Sequence, residues 1–536
     1  MDFDDALFAR YIAGERSEQR CTRRFLLHVM AIVVCAALSL VHTAKAQATR
    51  TGAERPNIVF ILTDDHRYDF MGFHPNAPAF LETPNMDAIA RDGVHFRNAF
   101  VTTSLCSPSR ASILTGMYMH NHHIIDNYPP VGDVPPNFAG YLQDAGYETA
   151  FIGKWHMGGA SDDPQPGFDY WVSFRGQGEY FPPKDRDWWL NVNGEHVPQK
   201  GYITDELTDY ALNWLDKRDD KKPFFLYLSQ KGIHDNFAPA PRHEGRYRNE
   251  TFTPPENMAD TPENYEGKPM WVKNQRNSWH GVDYPYHWHN GSDLETIYLR
   301  YAEALLSIDE SVGRVLDWLH EEGLDENTLV IYMGDNGFQW GEHGLIDKRT
   351  AYEESMRVPL LARWPAKLPP GTPVDAMVAN IDIAPTILDA AGVAIPEQMD
   401  GRSFLPLAAG QMNPDDWRQE LLYEYYWENA FPQTPTTFAL RTPEYKFIQY
   451  YGVWDTEELY DLQNDPHEDH NLIRDPEHQQ VVRQMRNRLH AVMKETGVTA
   501  MPIRPKNGPG QNLRQADGSK AAEFPSYLLR EGPAER

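Results

Sequence analysis

Along the chain, short continuous apolar runs alternate with longer stretches in which apolar residues recur every three or four positions. The continuous runs, Asn57 to Thr63, Thr149 to Ile152, Pro223 to Leu228 and Thr328 to Met333, have the length and composition of buried strands. The periodic stretches, Asn85 to Asp92, Phe138 to Ala145, Thr204 to Arg218 and Glu295 to Glu322, predict amphipathic helices. Strands without polar alternation must be covered on both faces. The succession therefore predicts an α/β fold: a large mixed, mostly parallel sheet sandwiched by helices. A helix around Ile383 to Ala391 closes that unit, and from about Trp417 the pattern changes. Strand-like runs at Leu421 to Tyr426, Thr437 to Arg441 and Tyr445 to Tyr450, then a helical stretch from about Pro476 to Glu495, predict a smaller C-terminal antiparallel-sheet subdomain under one helix.

At 536 residues the chain exceeds what one hydrophobic core serves, in keeping with a large domain over 52–410 and a subdomain over 411–500. Residues 501–536, rich in Pro, Gly, Asn and Arg, read as an extended tail. At the other end, Arg20 to Arg24 is basic, Phe25 to Leu40 is apolar, and Ala44-Lys45-Ala46 is a small-x-small site before Gln47. These are the parts of a signal peptide over 1–46, preceded by an atypical acidic extension, and they predict export to the periplasm or beyond. The apolar run is short for a membrane span, and Val34 stands where a lipoprotein signal would carry a small residue before Cys35, so no stable membrane anchor is expected.

A net charge of −27 excludes a nucleic-acid partner, because nothing supplies the dense basic surface that releases counterions. An anionic ligand must then be met by a local cluster of cations. Of three cysteines, Cys21 and Cys35 fall in the leader, which leaves Cys106 alone in an oxidising compartment. A solitary thiol is ordinarily a buried apolar side chain. Its neighbours give it another task.

Each of the four strands runs into residues of the same chemical kind. Asp64 and Asp65 come after the first, Gly153-Lys154-Trp155-His156 after the second, His234 soon after the third, and Gly334-Asp335-Asn336-Gly337 at the end of the fourth. In parallel sheets, ligands bind beyond the carboxyl ends of the strands. The carboxylates of Asp64, Asp65 and Asp335 with the amide of Asn336 make an all-oxygen set suited to a hard cation, Ca²⁺ or Mg²⁺, over zinc. Gathered carboxylates would also repel one another unless a metal neutralised them.

Residues Ser104 to Gly116 read as a loop entering a helix, with Pro108 in the first turn and Gly116 at the end. Cys106 thus sits at a helix start, where unpaired N–H groups favour an anion such as sulfate or phosphate; a thiolate would be stabilised there too. The pattern Cys106-x-Pro108-x-Arg110 followed by Ala111-Ser112-x-Leu114-Thr115-Gly116 resembles the signature of type I sulfatases of the alkaline phosphatase superfamily, in which the cysteine becomes formylglycine. The resemblance continues through Thr83-Pro84-Asn85, Gly153 to His156, Gly334 to Gly337, Gly341-Glu342-His343-Gly344, Lys348 and Leu459-Tyr460-Asp461-Leu462.

That resemblance implies a sulfuric ester hydrolase with 3-oxoalanine formed from Cys106, a bound Ca²⁺ (or Mg²⁺) on Asp64, Asp65, Asp335, Asn336 and the modified Cys106, and a maturase as partner. It also implies catalytic or sulfate-binding roles for Arg110, Lys154, His156, His234 and Lys348. At His234 the chain reads His-Asp-Asn where the family commonly has His-x-Pro. The implied substrate is a sulfated carbohydrate or polysaccharide. A phosphate mono- or diester hydrolase on the same fold and an exported sugar-binding protein without catalysis are the alternatives. Two aromatic-rich segments, Tyr170 to Trp189 and Trp271 to His289, read either as a sugar subsite or as loop packing.

Overall fold

The computed structural model describes residues 55–501 apart from 131–132, 158–160, 279, 284–291, 429–430 and 453–455. At its centre is a ten-stranded sheet in the order Thr372–Val374, Val94–Phe96, Leu360–Arg363, Thr328–Gly334, Asn57–Thr63, Phe224–Ser229, Glu148–Gly153, Tyr170–Ser173, Trp189–Val192, Glu195–Pro198. The strands from Thr328–Gly334 to Tyr170–Ser173 run parallel, and antiparallel pairing begins at Leu360–Arg363 on one side and Trp189–Val192 on the other. All four strands expected from continuous apolar runs lie in the parallel centre.

Asn57–Thr63 and Thr328–Gly334 are buried at every residue because each face of the sheet meets its own core. Ile58, Phe60 and Leu62 enter one core, Val59 and Ile61 the other, as the two-residue period of a strand requires. The second core is capped by helices Pro84–Arg91, Ile203–Leu215 and Leu294–Glu321. The last of these has Asp293 as N-cap, accepting the Thr296 N–H at 2.8 Å, a bond worth about 1 kcal/mol. Its buried Ile297, Tyr301, Leu305, Ile308, Val312, Val315 and Leu319 recur at helical spacing against the sheet.

The first core is shared between helices Cys106–Thr115 and Ile383–Ala390 and the C-terminal sheet, which is antiparallel throughout in the order Leu421–Tyr425, Thr436–Arg441, Tyr445–Tyr451, Glu458–Asp461. Helix Gln479–Thr496 covers that sheet with Val482, Met485, Leu489 and Val492 and stops at Gly497, whose φ of 97° releases the chain. The predicted leader lies outside the described residues, as does the tail beyond Met501. No helix among the described residues is long and apolar enough to cross a membrane.

Strand register decides where the chemistry gathers. Thr63 pairs with Gly334, Leu62 with Ser229, and Gly153 with Ser229, so four strands end at nearly the same level. The residues beyond those ends must share one edge. The close approach is tightest at Gly153, where φ is +125° and a Cβ would stand 1.7 Å from the Ser229 carbonyl oxygen.

Candidate active site

The two residues after Asn57–Thr63 face those after Thr328–Gly334. The Asp335 N–H donates to the Thr63 carbonyl at 2.9 Å, continuing the ladder, and the Asp65 N–H donates to Asp335 Oδ1 at 2.9 Å. Asp65 adopts φ +55°, which turns its side chain back towards Asn336, whose Nδ2 donates to Asp65 Oδ1 at 2.7 Å. Asp64 is held from the third strand's loop, its N–H donating to Gly232 O at 2.9 Å and its carbonyl accepting the Ile233 N–H at 2.8 Å. Carboxylate oxygens of Asp64, Asp65 and Asp335 lie within 4.8 Å of one another, all buried.

Cys106 is the first residue of helix Cys106–Thr115 and is fully buried. Its Sγ is 3.6 Å from Asp64 Oδ1 and 3.1 Å from Lys348 Nζ. Burial pushes the thiol up to about 12, against the pull of Lys154 and Lys348, so as a thiol it is protonated at neutral pH. One turn on, Arg110 donates from Nε to Asp335 Oδ2 at 2.8 Å and from Nη1 to the Lys154 carbonyl and to Ser229 Oγ, each at 2.7 Å. A single guanidinium therefore ties the helix to the ends of three strands.

Lys154 and Lys348 send their ammonium groups into the carboxylate cluster, Lys154 onto Asp64 and Lys348 onto Asp65. Lys348 stands between Asp347 at φ +85° and Arg349 at φ +82°, a left-handed pair that turns it inward. His156, at φ +45°, sets Nδ1 3.4 Å from Ser107 Oγ, and Ser107 Oγ donates to the His156 carbonyl at 2.6 Å. His234 Nε2 is 3.9 Å from Asp65 Oδ2, and its side chain is 15% exposed, so it faces the mouth of the site. Every site residue expected from the sequence is thus brought to one edge.

The charges shape one another. Burial raises Asp64, but the permanent charges of Lys154, Arg110 and Lys348 outweigh it and hold the carboxyl well below its usual range. Asp335 is pushed up to about 7 by burial and by the like charge of Asp64, with Arg110 opposing. Burial, then Lys154, drives both His156 and His234 well below the ordinary histidine range, so both imidazoles are neutral. The donor set fits a hard cation: three convergent carboxylates, an Asn336 Oδ1 that is buried without a partner, and two ammonium groups standing in as the positive charge the carboxylates require.

Several contributors carry no signal in the sequence. Ser107 and Ser229 look like ordinary small polar residues until their partners are seen. Lys231 is buried in the loop that carries His234, with its ammonium 4.4 Å from the ring centre of Tyr180. A lysine followed by glycine in a loop gives no hint of burial. In the aromatic segments, Trp171 stacks on Phe151 at 4.8 Å and Trp271 packs on Tyr450 at 5.5 Å, both as core, whereas Phe181 is exposed. Trp279, Tyr284, Tyr286, His287, Trp288 and His289 lie outside the described residues.

Comparison with known proteins gives a consistent result. A family model described as sulfatase matches residues 56–393, and one described as N-sulphoglucosamine sulphohydrolase, C-terminal, matches residues 341–495. The chain is similar to the N-acetylglucosamine-6-O-sulfatase of Bacteroides thetaiotaomicron, 35% identical over 513 residues that cover 86% of this chain and 90% of that protein. It is also similar to the N-acetylglucosamine-6-sulfatase of Capra hircus, at 32% identity over 492 residues, 80% of this chain and 82% of that protein. Among solved structures, a protein in complex with its substrate D-glucosamine-2-N,6-O-disulfate superposes with a TM-score of 0.75 at 32% identity, covering 84% of this chain and 100% of that chain. A phosphonate monoester hydrolase from Silicibacter pomeroyi shares the fold with a TM-score of 0.69 at 24% identity, over 82% of this chain and 96% of that one.

Proposed function

The chain belongs to the sulfatase family and is a sulfatase; on that premise we propose that it hydrolyses sulfate esters on a sulfated carbohydrate, 6-O-sulfated hexosamine being the favoured class. The names of its relatives and the sugar bound in the similar structure support that class. The observation that carries the reading is the position of Cys106, at a helix start and in contact with both Asp64 and Lys348.

Oxidation of Cys106 to formylglycine by a maturase, followed by hydration, would supply one hydroxyl to attack sulfur and a second whose ionisation releases sulfate. Asp64, Asp65, Asp335, Asn336 and residue 106 would hold Ca²⁺, or Mg²⁺, which would neutralise the carboxylates and draw charge from sulfate oxygens. Lys154 and Lys348 bind those oxygens as charge-assisted donors in a site sheltered from water. Arg110 fixes Asp335, Lys154 and Ser229 relative to residue 106, so the reacting groups need not reorganise.

His156 accepts the proton given up at residue 106, and its depressed, neutral form is the one that can. His234 delivers a proton to the departing sugar oxygen, with Lys348 in support. Neutral before substrate binds, His234 becomes protonated when the negative charge of the sulfate ester docks beside it. Residues 52–410 form the catalytic domain in this reading and 411–500 the subdomain packed against it, in an exported protein.

Sulfate release from 6-O-sulfated glucosamine, measured beside phosphate release from an aryl phosphate, tests the assignment. Faster phosphate release would transfer it to phosphoester hydrolysis.

A further inference from the structure

Beside the proposed sulfate pocket stands a buried cation that the catalytic scheme does not use. Lys231 is 2% exposed, yet among the described residues no hydrogen-bond acceptor or carboxylate lies within bonding range of its Nζ. Its neighbours fix its place. Gly232 and Ile233, the next residues, bond the carbonyl and N–H of Lys231's own loop to the backbone of Asp64, and the His234 N–H donates back to the Lys231 carbonyl at 3.1 Å. Lys231 and His234 thus belong to one turn anchored on the metal-binding edge.

The stem of Lys231 ends over the Tyr180 ring, 4.4 Å from its centre. Tyr180 is itself fixed, its hydroxyl donating to the His234 carbonyl at 2.8 Å and its ring stacking on Tyr202 at 5.8 Å. A ring face steadies an ammonium but supplies only a fraction of what the charge loses on leaving water. Three acids reach it with their charge, Asp64, Asp235 and Glu179, yet none forms an ion pair with it among the described residues, and Asp64 is taken by Lys154 and Glu179 by Arg186. The charges of Lys154 and Lys231 reach each other, so two ammonium groups stand at this edge, and among the described residues only that of Lys154 is ion-paired.

We propose that Lys231 is a substrate-binding residue whose ammonium receives a second anionic substituent, a carboxylate or another sulfate, carried by the sugar beside the ester that is cleaved. This rests on the sulfatase reading for the first sulfate and adds a requirement to it: the substrate is multiply anionic. Tyr180 acts through Lys231 as a positioning residue, holding the ammonium on the side of the pocket where His234 meets the leaving sugar.

Equilibrium binding to the full chain with Cys106 unconverted separates this proposal from catalysis. The probes are glucosamine 6-sulfate, glucosamine 2-N,6-O-disulfate, and a disaccharide joining a uronic acid to glucosamine 6-sulfate. The wild-type protein is expected to prefer one doubly charged probe over the monosulfate by tenfold or more, and the preferred probe identifies the source of the second anion. Lys231→Met should bring that ratio close to one, and Lys231→Arg should restore most of it, with melting curves checking that both fold. No preference in the wild type, or an unchanged preference in Lys231→Met, overturns the proposal. Absence of sulfate release from matured enzyme that still shows the Lys231-dependent preference would instead sink the hydrolytic reading and leave Lys231 in its role.

Discussion

Arg110 and Asp335 form a buried ion pair in which Nε donates to Oδ2 over 2.8 Å, one side chain from a helix start and the other from a strand end. The same guanidinium also holds the Lys154 carbonyl and the Ser229 hydroxyl, so a single-point cation cannot replace it. Arg110→Lys should lower kcat/KM for sulfate release by about a hundredfold or more, since it loosens several reacting groups together. Arg110→Ala leaves Asp335 buried without its partner and should destabilise the fold by roughly 3–5 kcal/mol. Denaturant unfolding beside a sulfate assay distinguishes the two effects. A Lys variant with full activity would falsify the assigned role.

Cys106 is packed out of solvent as a cysteine, and conversion exchanges its thiol for an aldehyde of similar size, so maturation should matter to turnover and hardly to folding. Protein made without a maturase is expected to melt within a degree or two of the matured form and to release sulfate at under about one per cent of its rate, since the unionised thiol is a weak nucleophile. Mass spectrometry of the peptide spanning residue 106, read against activity, checks this. Full activity from a preparation that is wholly unmodified thiol rules the proposed nucleophile out.

Chelation should cost both activity and stability. Asp64, Asp65 and Asp335 converge within 4.8 Å, and without a divalent cation their mutual repulsion is opposed chiefly by the ion pairs to Lys154, Lys348 and Arg110. A metal at a hundred times its Kd stabilises the fold by about 2.7 kcal/mol, so EGTA or EDTA should lower Tm by a few degrees, and Ca²⁺ or Mg²⁺ should restore it. Asp335→Ala should melt at a temperature that neither chelator nor metal changes. Calorimetric scans with and without metal read both outcomes.

The parts legible in sequence are those where one physical signal has one meaning. A strand buried on both faces must be continuously apolar, and the parallel register then forces Asp64, Lys154, His234 and Asp335 to a common edge. Lys231 is illegible because its burial is created by Tyr180, a residue from another loop. Glu458–Asp461 shows in the sequence only as part of a motif: it is four residues long, and its alternation is masked by buried polar groups, Glu458 accepting from the Tyr352 hydroxyl at 2.9 Å. The outer strands Val94–Phe96 and Thr372–Val374 are three residues each, too short for a period to show.

Away from the active site, Asp309 links stability to pH. It accepts the N–H groups of Met86 at 2.8 Å and Asn85 at 3.0 Å at the start of helix Pro84–Arg91. Burial outweighs those bonds and raises its carboxyl to about 6. The folded protein therefore binds a proton that the unfolded chain has already released between about pH 4 and 6. The stability this group confers is complete below about pH 4 and is lost as pH rises through about 6, by at most about 3 kcal/mol. Asp309→Asn, which keeps an acceptor oxygen, should remove that slope. Urea midpoints measured from about pH 4 to 7 for both proteins test the sign.

Two glycines give opposite expectations from the same substitution. At Gly153 the backbone sits at φ +125° and a Cβ would meet the Ser229 carbonyl oxygen at 1.7 Å, an overlap that only movement of a strand can relieve. That carbonyl accepts the Lys154 N–H at 2.8 Å, so any movement displaces Lys154, the Arg110 contact to its carbonyl and the pairing of Gly153 with Ser229. Gly153→Ala should either fail to accumulate as folded protein or fold with sulfate release reduced by about a hundredfold or more. Gly140 lies inside helix Ala139–Asp144, and nothing comes within 4 Å of its Cβ position. Gly140→Ala should raise stability by about 0.5–1 kcal/mol, through helix propensity and a less disordered unfolded chain, and leave turnover intact. Soluble yield, Tm and sulfate release measured for both variants decide the matter: a well-folded, active Gly153→Ala would mean that the level ending of the strands does not hold Lys154 in place.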